Sequence, residues 1–264
     1  RGDHIFVVVN AACKVSDLAH LQTLEGVEVT EITDRALLAL QGPASEGVLA
    51  AMDARAAEMR FMDVADLVLN GAECWVSRSG YTGEDGYEIS VPADQAEDLA
   101  RALLAHDDVE PIGLGARDSL RLEAGLCLYG QDMDDGLTPV EASLGWAIQK
   151  VRRTGGDREG GFPGAEVILG QLDNGVDRRR VGLRPDGRAP MRQGVPLFAA
   201  EEGGEQIGFV TSGGFGPSVG APVAIGIVAD SLHEVGTVLY GELRGKSLPV
   251  VVSDLHFVPA NFKR

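Results

Sequence analysis

The clearest indication of the fold lies in residues 80–90, which read GYTGEDGYEIS. The segment ends in an alternation of apolar and polar side chains that predicts a half-buried β-strand, with Tyr87 and Ile89 on one face and Glu88 on the other. Three glycines precede the strand and predict a turn-rich loop. One interpretation of this loop is a plain hairpin connection. The other is that Glu88 faces a pocket beside Tyr81, where a carboxylate accepts two parallel N–H bonds from a flat, amidine-like edge.

The flanking segments extend this strand into an α+β layer. The apolar run over residues 35–40 predicts a buried strand, and residues 68–79 predict one or two more. Pro43 lies where a first-turn proline opens a helix, and Asp94 with Glu97 has the spacing of a capping box. The resulting β-α-β-β-α order predicts helices packed on an antiparallel sheet.

The sequence changes character after residue 178. Residues 150–164 are rich in glycine and charge and predict a loop or linker. Short apolar runs then alternate with Gly and Pro turns, which predicts a small all-β sandwich or barrel. These runs are residues 181–183, 207–211, 223–228, 238–243 and 248–252. We therefore expect two regions, residues 1–160 and residues 178–264.

Composition excludes several classes of function. The 264 residues include 23 Lys and Arg against 40 Asp and Glu, a net charge of −17 that argues against a nucleic-acid-binding protein. The three cysteines and five histidines show no metal-ligand spacing, so we expect no metal site and a reducing compartment. No apolar run approaches the roughly 18 residues that span a bilayer, and no signal peptide is visible. We expect no membrane contact and a cytoplasmic location.

A second polar cluster occupies residues 113–125, GLGARDSLRLEAG, within a predicted helix from about residue 114 to 126. Arg117 and Arg121 lie one turn apart, where like charges repel by a few tenths of a kcal/mol. The aliphatic surroundings favour burial of one of these arginines, and a buried arginine needs a partner. Either Asp118 and Glu123 or an external carboxylate would serve. The alternative is a solvated, salt-bridged helix face.

Two basic runs contrast with the acidic whole. They are Lys150, Arg152 and Arg153, and the three arginines at residues 178–180. Concentrated positive charge of this kind steers an acidic partner or a polyanionic tail. The alternative is a solvated loop.

Long motifs in this chain resemble the glycine cleavage system T-protein, the aminomethyltransferase family. They include residues 80–90, residues 113–148 and residues 160–168, and the similarity runs from about residue 7 to the end. The resemblance implies an α+β fold with a ferredoxin-like, antiparallel-sheet folate-binding part and a C-terminal β-barrel, within a three-domain cloverleaf. It implies transfer of the aminomethyl group from the lipoyl arm of the H-protein to tetrahydrofolate. Ammonia is released and 5,10-methylenetetrahydrofolate is formed.

The same resemblance implies a set of folate-contacting side chains. By matching motifs these are Glu88, Arg117, Tyr81, Tyr129, Asn10 and Phe262. Some family members carry Tyr at the position of Phe262, so the hydroxyl of that contact is missing here. The interpretation of Glu88 from its position on the predicted strand agrees with this assignment, because a carboxylate matches the amidine edge of a pterin.

The resemblance has one departure. The catalytic aspartate of the family lies in a Gly-Gly-Ile-x-Asp-Asp-like segment, just before the strand that corresponds to residues 5–9. That position falls upstream of Arg1, with which this sequence begins, and Asp3 does not match the motif. We therefore expect an N-terminally truncated chain with no catalytic residue of its own.

Two other functions remain open at this stage. One is a related folate-dependent demethylase, or the folate-handling module of a methylamine-oxidising enzyme, although residues 130–146 resemble the T-protein more closely. The other is a non-catalytic folate-binding protein. The location would be the bacterial cytoplasm, or the mitochondrial matrix in a eukaryote.

Overall fold

Two β-structures organise the chain. The computed structural model describes residues 4–202 and 204–264, and within them it contains a four-stranded antiparallel sheet and a closed six-stranded barrel. Five α-helices lie in the same residues: α1 (Lys14–Leu21), α2 (Ser45–Ala50), α3 (Ala96–Leu104), α4 (Leu114–Glu123) and α5 (Ala165–Asn174). The predicted α+β class, an antiparallel sheet followed by an all-β barrel, is confirmed.

The sheet has the strand order β1-β4-β3-β2. Its strands are β1 (Arg35–Gln41), β2 (Val64–Leu69), β3 (Ala72–Ser77) and β4 (Gly86–Pro92). The alternation in β4 is confirmed, since Tyr87, Ile89 and Val91 are buried in one core with Leu49 of α2 and Leu99 of α3. Glu88 is half-buried on the opposite face. The sheet therefore keeps one apolar face for its helices and presents polar groups on the other.

The barrel follows, with antiparallel neighbours in the order β10-β5-β8-β7-β6-β9. Its strands are β5 (Arg178–Pro185), β6 (Pro196–Phe198), β7 (Gln206–Gly216), β8 (Ala221–Ala229), β9 (Val238–Leu243) and β10 (Lys246–Ser253). Val210, Leu183, Leu197, Leu239 and Val250 fill its interior. Closure pairs every strand on both sides and so leaves no open sheet edge. All five predicted apolar runs form strands.

Two local expectations were wrong. Residues 5–9 form no strand, because no neighbouring strand pairs with them in the described residues; Phe6 instead contacts the Trp75 ring edge-on, with centroids 5.0 Å apart. The capping box is absent, since α3 begins at Ala96 and the Glu97 carboxylate accepts from Arg101, 2.7 Å away.

Three elements were missed by the sequence analysis. They are helix α1, helix α5 and the three-residue strand β6. Helix α1 buries none of its residues. In α5 only Ile168 is buried, so its apolar periodicity is weak, and β6 is too short to show a pattern.

The length and hydropathy of the helices decide whether any of them could cross a membrane. In the part of the chain that the structure describes, none of them combines the length and apolar character that crossing a bilayer requires.

Candidate functional site

Glu88 has a fixed environment on β4. It lies opposite Ala39 of β1 and Ser77 of β3 in the sheet register. The Ser79 hydroxyl donates to Glu88 Oε2 over 2.5 Å, and the Ser77 and Ser79 hydroxyl oxygens lie 2.8 Å apart. A hydrogen bond to one oxygen orients the carboxylate and leaves acceptor capacity on the other. The side chain is thus prepared to accept N–H groups.

The loop between β3 and β4 is held by Gln41, the last residue of β1. Gln41 Nε2 donates to the Ser79 carbonyl over 3.0 Å, and the Thr82 hydroxyl donates to Gln41 Oε1 over 3.1 Å. A Cβ atom on Gly80 would lie 1.8 Å from Gln41 Oε1. Glycine at residue 80 is therefore required for the amide of Gln41 to brace the loop.

The same loop contacts the end of α4. Gly83 adopts φ +79°, and a Cβ atom there would lie 2.7 Å from Cβ of Ala124, which follows α4. The Tyr81 hydroxyl donates to the Cys127 carbonyl. The Arg117 guanidinium lies 5.0 Å from the Tyr81 ring centroid, a cation–π distance. Two predicted site residues are therefore in contact where this loop meets α4.

Burial controls the ionisation of Tyr81. It raises the pKa of the Tyr81 phenol to about 12, because the phenolate would lose its hydration. The hydroxyl therefore remains a neutral hydrogen-bond donor near neutral pH. Glu88 is connected to the loop that carries Tyr81 through Ser79. No hydrogen bond or ion pair joins Glu88 to Arg117 in the described residues.

Tyr129 and Asn10 belong to a second group of contacts. Tyr129 is 42% exposed and lies beside the Cys13 side chain, whose negative form raises the pKa of Tyr129. The Cys13 N–H donates to the Asn10 carbonyl over 3.0 Å. Cys13 therefore links the two predicted residues, while the Asn10 side chain is exposed.

Phe262 lies on the C-terminal tail. Its ring stacks on Phe61, with centroids 4.1 Å apart and an interplanar angle of 7°. The Asn261 N–H donates to the Gly83 carbonyl over 2.9 Å, and Asn261 Nδ2 donates to Glu84 Oε2 over 3.1 Å. The tail therefore reaches the loop that carries Tyr81, but the ring contact of Phe262 is with Phe61.

An open cleft of about 750 Å³ lies next to this tail. Phe262 is the only one of the six predicted site residues that lines it in the described part of the chain. Its charged lining includes Glu46, Arg78, Asp85 and Lys263, and most of this charge is paired internally. Arg78 is buried and bonded to both Glu46 and Asp85, and Lys263 lies 2.7 Å from Glu46. The cleft is therefore distinct from the contact of Tyr81 with Arg117.

The expected burial of one α4 arginine is confirmed for Arg121. It is 1% exposed, and its Nε lies 2.8 Å from Asp118, as expected. Its main partner, Asp132, was missed: the two groups are 2.6 Å apart and both are buried. Residue 132 lies beyond the turn that follows α4, so the periodicity of the helix could not predict that Asp132 contacts Arg121. The only signal was its position within the motif at residues 113–148.

The second basic run is neutralised inside the structure. Arg178 lies 2.9 Å from Glu141, and Arg179 lies 2.6 Å from Asp230. Arg180 is buried and donates to the carbonyls of Ala142 and Gly125 over 2.7 and 3.0 Å. Its burial lowers the pKa of the guanidinium. These three arginines therefore do not form a freely solvated run.

The N-terminal end of the chain contributes no described group to the site. Arg1 and Asp3 lie outside the described residues. The expectation that the catalytic aspartate of the family falls upstream of Arg1 therefore stays a prediction from the motif.

Metal-binding geometry is also missing from the site. Residues 4–202 and 204–264 hold no cluster of three or more His, Cys, Asp or Glu side chains arranged for a metal ion.

Comparison with known proteins identifies the family. Residues 1–152 match the family model described as the GCVT N-terminal domain, and residues 178–259 match the glycine cleavage T-protein C-terminal barrel domain. The first match alone covers more than half of the chain. The chain belongs to the glycine cleavage T-protein family. The resemblance drawn from the motifs is confirmed.

Several curated relatives of this T-protein family member are named as aminomethyltransferases. The chain is 46% identical to "Aminomethyltransferase, mitochondrial" of Pisum sativum over 98% of its own length, and 47% identical to the protein of that name in Solanum tuberosum. It is 43% identical over 97% of its length to "Probable aminomethyltransferase, mitochondrial" of Schizosaccharomyces pombe. The chain spans 65% of the length of the two plant relatives.

A solved relative shares the fold. The crystal structure of glycine cleavage system aminomethyltransferase T from Bartonella henselae superposes with a TM-score of 0.88 at 43% identity. The match covers 97% of this chain and 69% of the Bartonella chain. The sheet and the barrel described above are therefore the T-protein arrangement.

Proposed function

We propose that this chain carries the folate-binding part of an aminomethyltransferase. In the proposed reaction, the aminomethyl carbon passes from the lipoyl arm of the H-protein to tetrahydrofolate, ammonia leaves, and 5,10-methylenetetrahydrofolate forms. Family membership and the shared name of the relatives support this reaction class. Tetrahydrofolate is the acceptor substrate, and no metal ion is assigned a role.

The observation that carries the proposal is the oriented carboxylate of Glu88. Ser79 occupies one oxygen at 2.5 Å, and a flat amino-pyrimidine edge offers N–H groups that match the remaining acceptor sites. Tyr81 supplies an aromatic wall, with the Arg117 cation 5.0 Å from its ring. We assign binding and orientation of the pterin to Glu88 and Tyr81, and a cationic contact to Arg117.

We assign the other predicted side chains to the edges of the same folate site. Tyr129 and Asn10 would approach it from the segment around Cys13, and Phe262 from the C-terminal tail. No catalytic acid or base is assigned within these 264 residues, because none of them matches the aspartate motif of the family. We propose that the chain functions in the cytoplasm of a bacterium, or in the mitochondrial matrix of a eukaryote.

The test is calorimetric titration of the chain with tetrahydrofolate. Replacing Glu88 by Gln keeps the shape of the side chain but removes the charge that strengthens its hydrogen bonds. Since a bond to a charged group contributes about 1.5–3 kcal/mol, we expect affinity to fall at least about tenfold. The matched control is Glu73→Gln, which removes an exposed carboxylate from neighbouring strand β3.

The two variants distinguish a specific role of Glu88 in binding tetrahydrofolate from a general effect of removing negative charge. Equal affinity for the unaltered chain and the Glu88→Gln variant would remove Glu88 from the site. Loss of affinity in Glu73→Gln as well would indicate a general charge effect. Circular dichroism of each variant reports whether its fold is intact.

A further inference from the structure

The first basic run differs from the second in having no acidic partner. We call residues 145–160 the basic loop. None of its four basic side chains, Lys150, Arg152, Arg153 and Arg158, forms an ion pair with a carboxylate in residues 4–202 and 204–264. The basic loop also carries the exposed carboxylates Asp157 and Glu159, so its four basic side chains leave it a net charge of +2. In a chain of net charge −17, this segment creates a local field opposite in sign to that of the rest of the surface.

Hydrogen bonds to the backbone hold this loop in place. Arg153 donates to the carbonyls of Ile148 and Gly145 over 2.9 and 2.8 Å. Arg152 donates to the Gly160 carbonyl over 3.1 Å. The two guanidinium groups close the loop on itself while keeping their charge. The basic surface is therefore organised before any partner arrives, which lowers the entropy cost of binding.

An exposed tryptophan lies within the same loop. Trp146 is 77% exposed and sits in the turn Gly145–Ala147, whose first carbonyl accepts from Arg153. Helix α5 supports this turn, since a Cβ atom on Gly145 would lie 3.2 Å from Leu172 Cδ2. Tryptophan and arginine are among the residues most enriched at the energetically dominant positions of protein interfaces. A rigidly supported aromatic beside unpaired cations therefore has the composition of a docking surface.

We propose that Trp146 and the basic loop form the docking surface for an acidic protein partner. The inference rests on the proposed function and takes that partner to be the lipoylated H-protein. Charge complementarity supports the choice, because the basic loop attracts acidic surfaces that the remainder of this chain repels. The other basic run does not compete for this role, since Arg178 and Arg179 are paired internally and Arg180 is buried. The exposed Trp146 favours a protein over a small polyanion.

The test measures binding of lipoylated H-protein to the full chain by calorimetry at two salt concentrations. Lys150→Glu combined with Arg158→Glu reverses two exposed residues whose side chains make no hydrogen bonds in the described residues. We expect this double variant to weaken binding by about tenfold or more at low salt and to reduce the salt dependence. We expect Trp146→Ala to weaken binding about tenfold at either salt concentration.

Two controls accompany these variants. Lys246→Glu reverses an exposed lysine at the start of β10, outside the basic loop, and is expected to leave H-protein affinity within about twofold. In a Trp75→Phe background, Trp146 is the only tryptophan, and bound H-protein should protect its fluorescence from acrylamide quenching.

The outcomes distinguish this inference from the proposed function. Equal H-protein affinity in all variants, or unprotected Trp146 fluorescence in the complex, would overturn the inference and leave the proposed reaction standing. Failure of the unaltered chain to bind H-protein would overturn the carrier step and the docking surface together, while the tetrahydrofolate titration decides the folate site separately. Charge reversal that weakens only polyglutamylated folate would reassign the surface to that small polyanion and overturn the inference.

Discussion

Arg121 and Asp132 form a buried ion pair where α4 meets the barrel, with Nη1 and Oδ2 2.6 Å apart. Strand β7 supports both partners. The Thr211 hydroxyl donates to Asp132 over 2.5 Å, and Arg121 Nη2 donates to the Ser212 hydroxyl over 2.9 Å. The pair therefore fixes the helix that carries Arg117 against the barrel, and the position of Arg117 depends on it.

Removing the Asp132 carboxylate should destabilise the chain strongly. Asp132→Ala leaves the Arg121 guanidinium buried without its main counter-charge, and breaking such a pair costs about 3–5 kcal/mol. Denaturant-induced unfolding followed by circular dichroism measures the change in the free energy of unfolding.

An exposed pair provides the control for Asp132. Glu97→Ala breaks the pair between Glu97 and Arg101, whose side chains are both exposed, and should cost about 0.5 kcal/mol or less. Arg121→Met combined with Asp132→Ala should recover part of the loss, because no buried charge then remains unpaired. If Asp132→Ala and Glu97→Ala lowered the free energy of unfolding by similar amounts, the ion pair between Arg121 and Asp132 would have to be accessible to water.

The contact between Gly83 and Ala124 should tolerate no added methyl group. Gly83→Ala meets two penalties, a positive φ and a Cβ only 2.7 Å from the Ala124 Cβ. We expect a loss of about 2–3 kcal/mol in the free energy of unfolding, together with weaker tetrahydrofolate binding, because Tyr81 lies in the displaced loop.

Gly71→Ala is the matched control for this contact. Gly71 also has positive φ, +82°, but nothing lies within 4 Å of an added Cβ, so only the backbone penalty of about 1 kcal/mol remains. Equal losses in the free energy of unfolding for Gly83→Ala and Gly71→Ala would show that the loop between β3 and β4 does not pack closely against the end of α4.

The sequence predicted the parts of the site that depend on local patterns. Alternation placed Glu88 opposite Tyr87, and the aliphatic surroundings of the second polar cluster indicated that one arginine, Arg121, is buried. The partner Asp132 could not be predicted, because its contact depends on the turn after α4 and on the distant strand β7. The stacking of Phe262 on Phe61 was missed for the same reason, since no local pattern connects positions so far apart.

The two basic runs show a second limit of sequence analysis. Both appeared as equivalent clusters of charge. The structure separates them, because Arg178 and Arg179 meet Glu141 and Asp230, which are distant along the chain. Only tertiary contacts reveal which positive charges remain available to a partner.

Acid should weaken the fold partly through Asp53. Arg55 donates to both carboxylate oxygens of Asp53, over 3.0 and 2.6 Å, and holds the pKa of Asp53 well below its usual 3.8. Because the pKa is lower in the folded state, this contribution to stability is present above about pH 4 and is lost as pH falls through the folded pKa.

The Asp53→Asn variant tests that dependence. It should be less stable than the unaltered chain at neutral pH, and the difference should narrow as the pH drops below about 4. Asp107→Asn, which removes an exposed carboxylate without a hydrogen bond or ion pair in the described residues, should show no such narrowing. A difference for Asp53→Asn that stays constant with pH would contradict the assigned ion pair.

The phenol of Tyr81 should ionise at a higher pH than that of an ordinary tyrosine. Burial raises its pKa to about 12, so Tyr81→Phe should leave the tyrosinate absorbance of the folded chain near pH 10 unchanged. In denaturant the same substitution should remove one quarter of the signal, since the chain has four tyrosines. Loss of signal near pH 10 in the folded variant would mean that water reaches the hydroxyl. In that case the Tyr81 hydroxyl would not be a neutral donor to the Cys127 carbonyl, next to the Arg117 guanidinium.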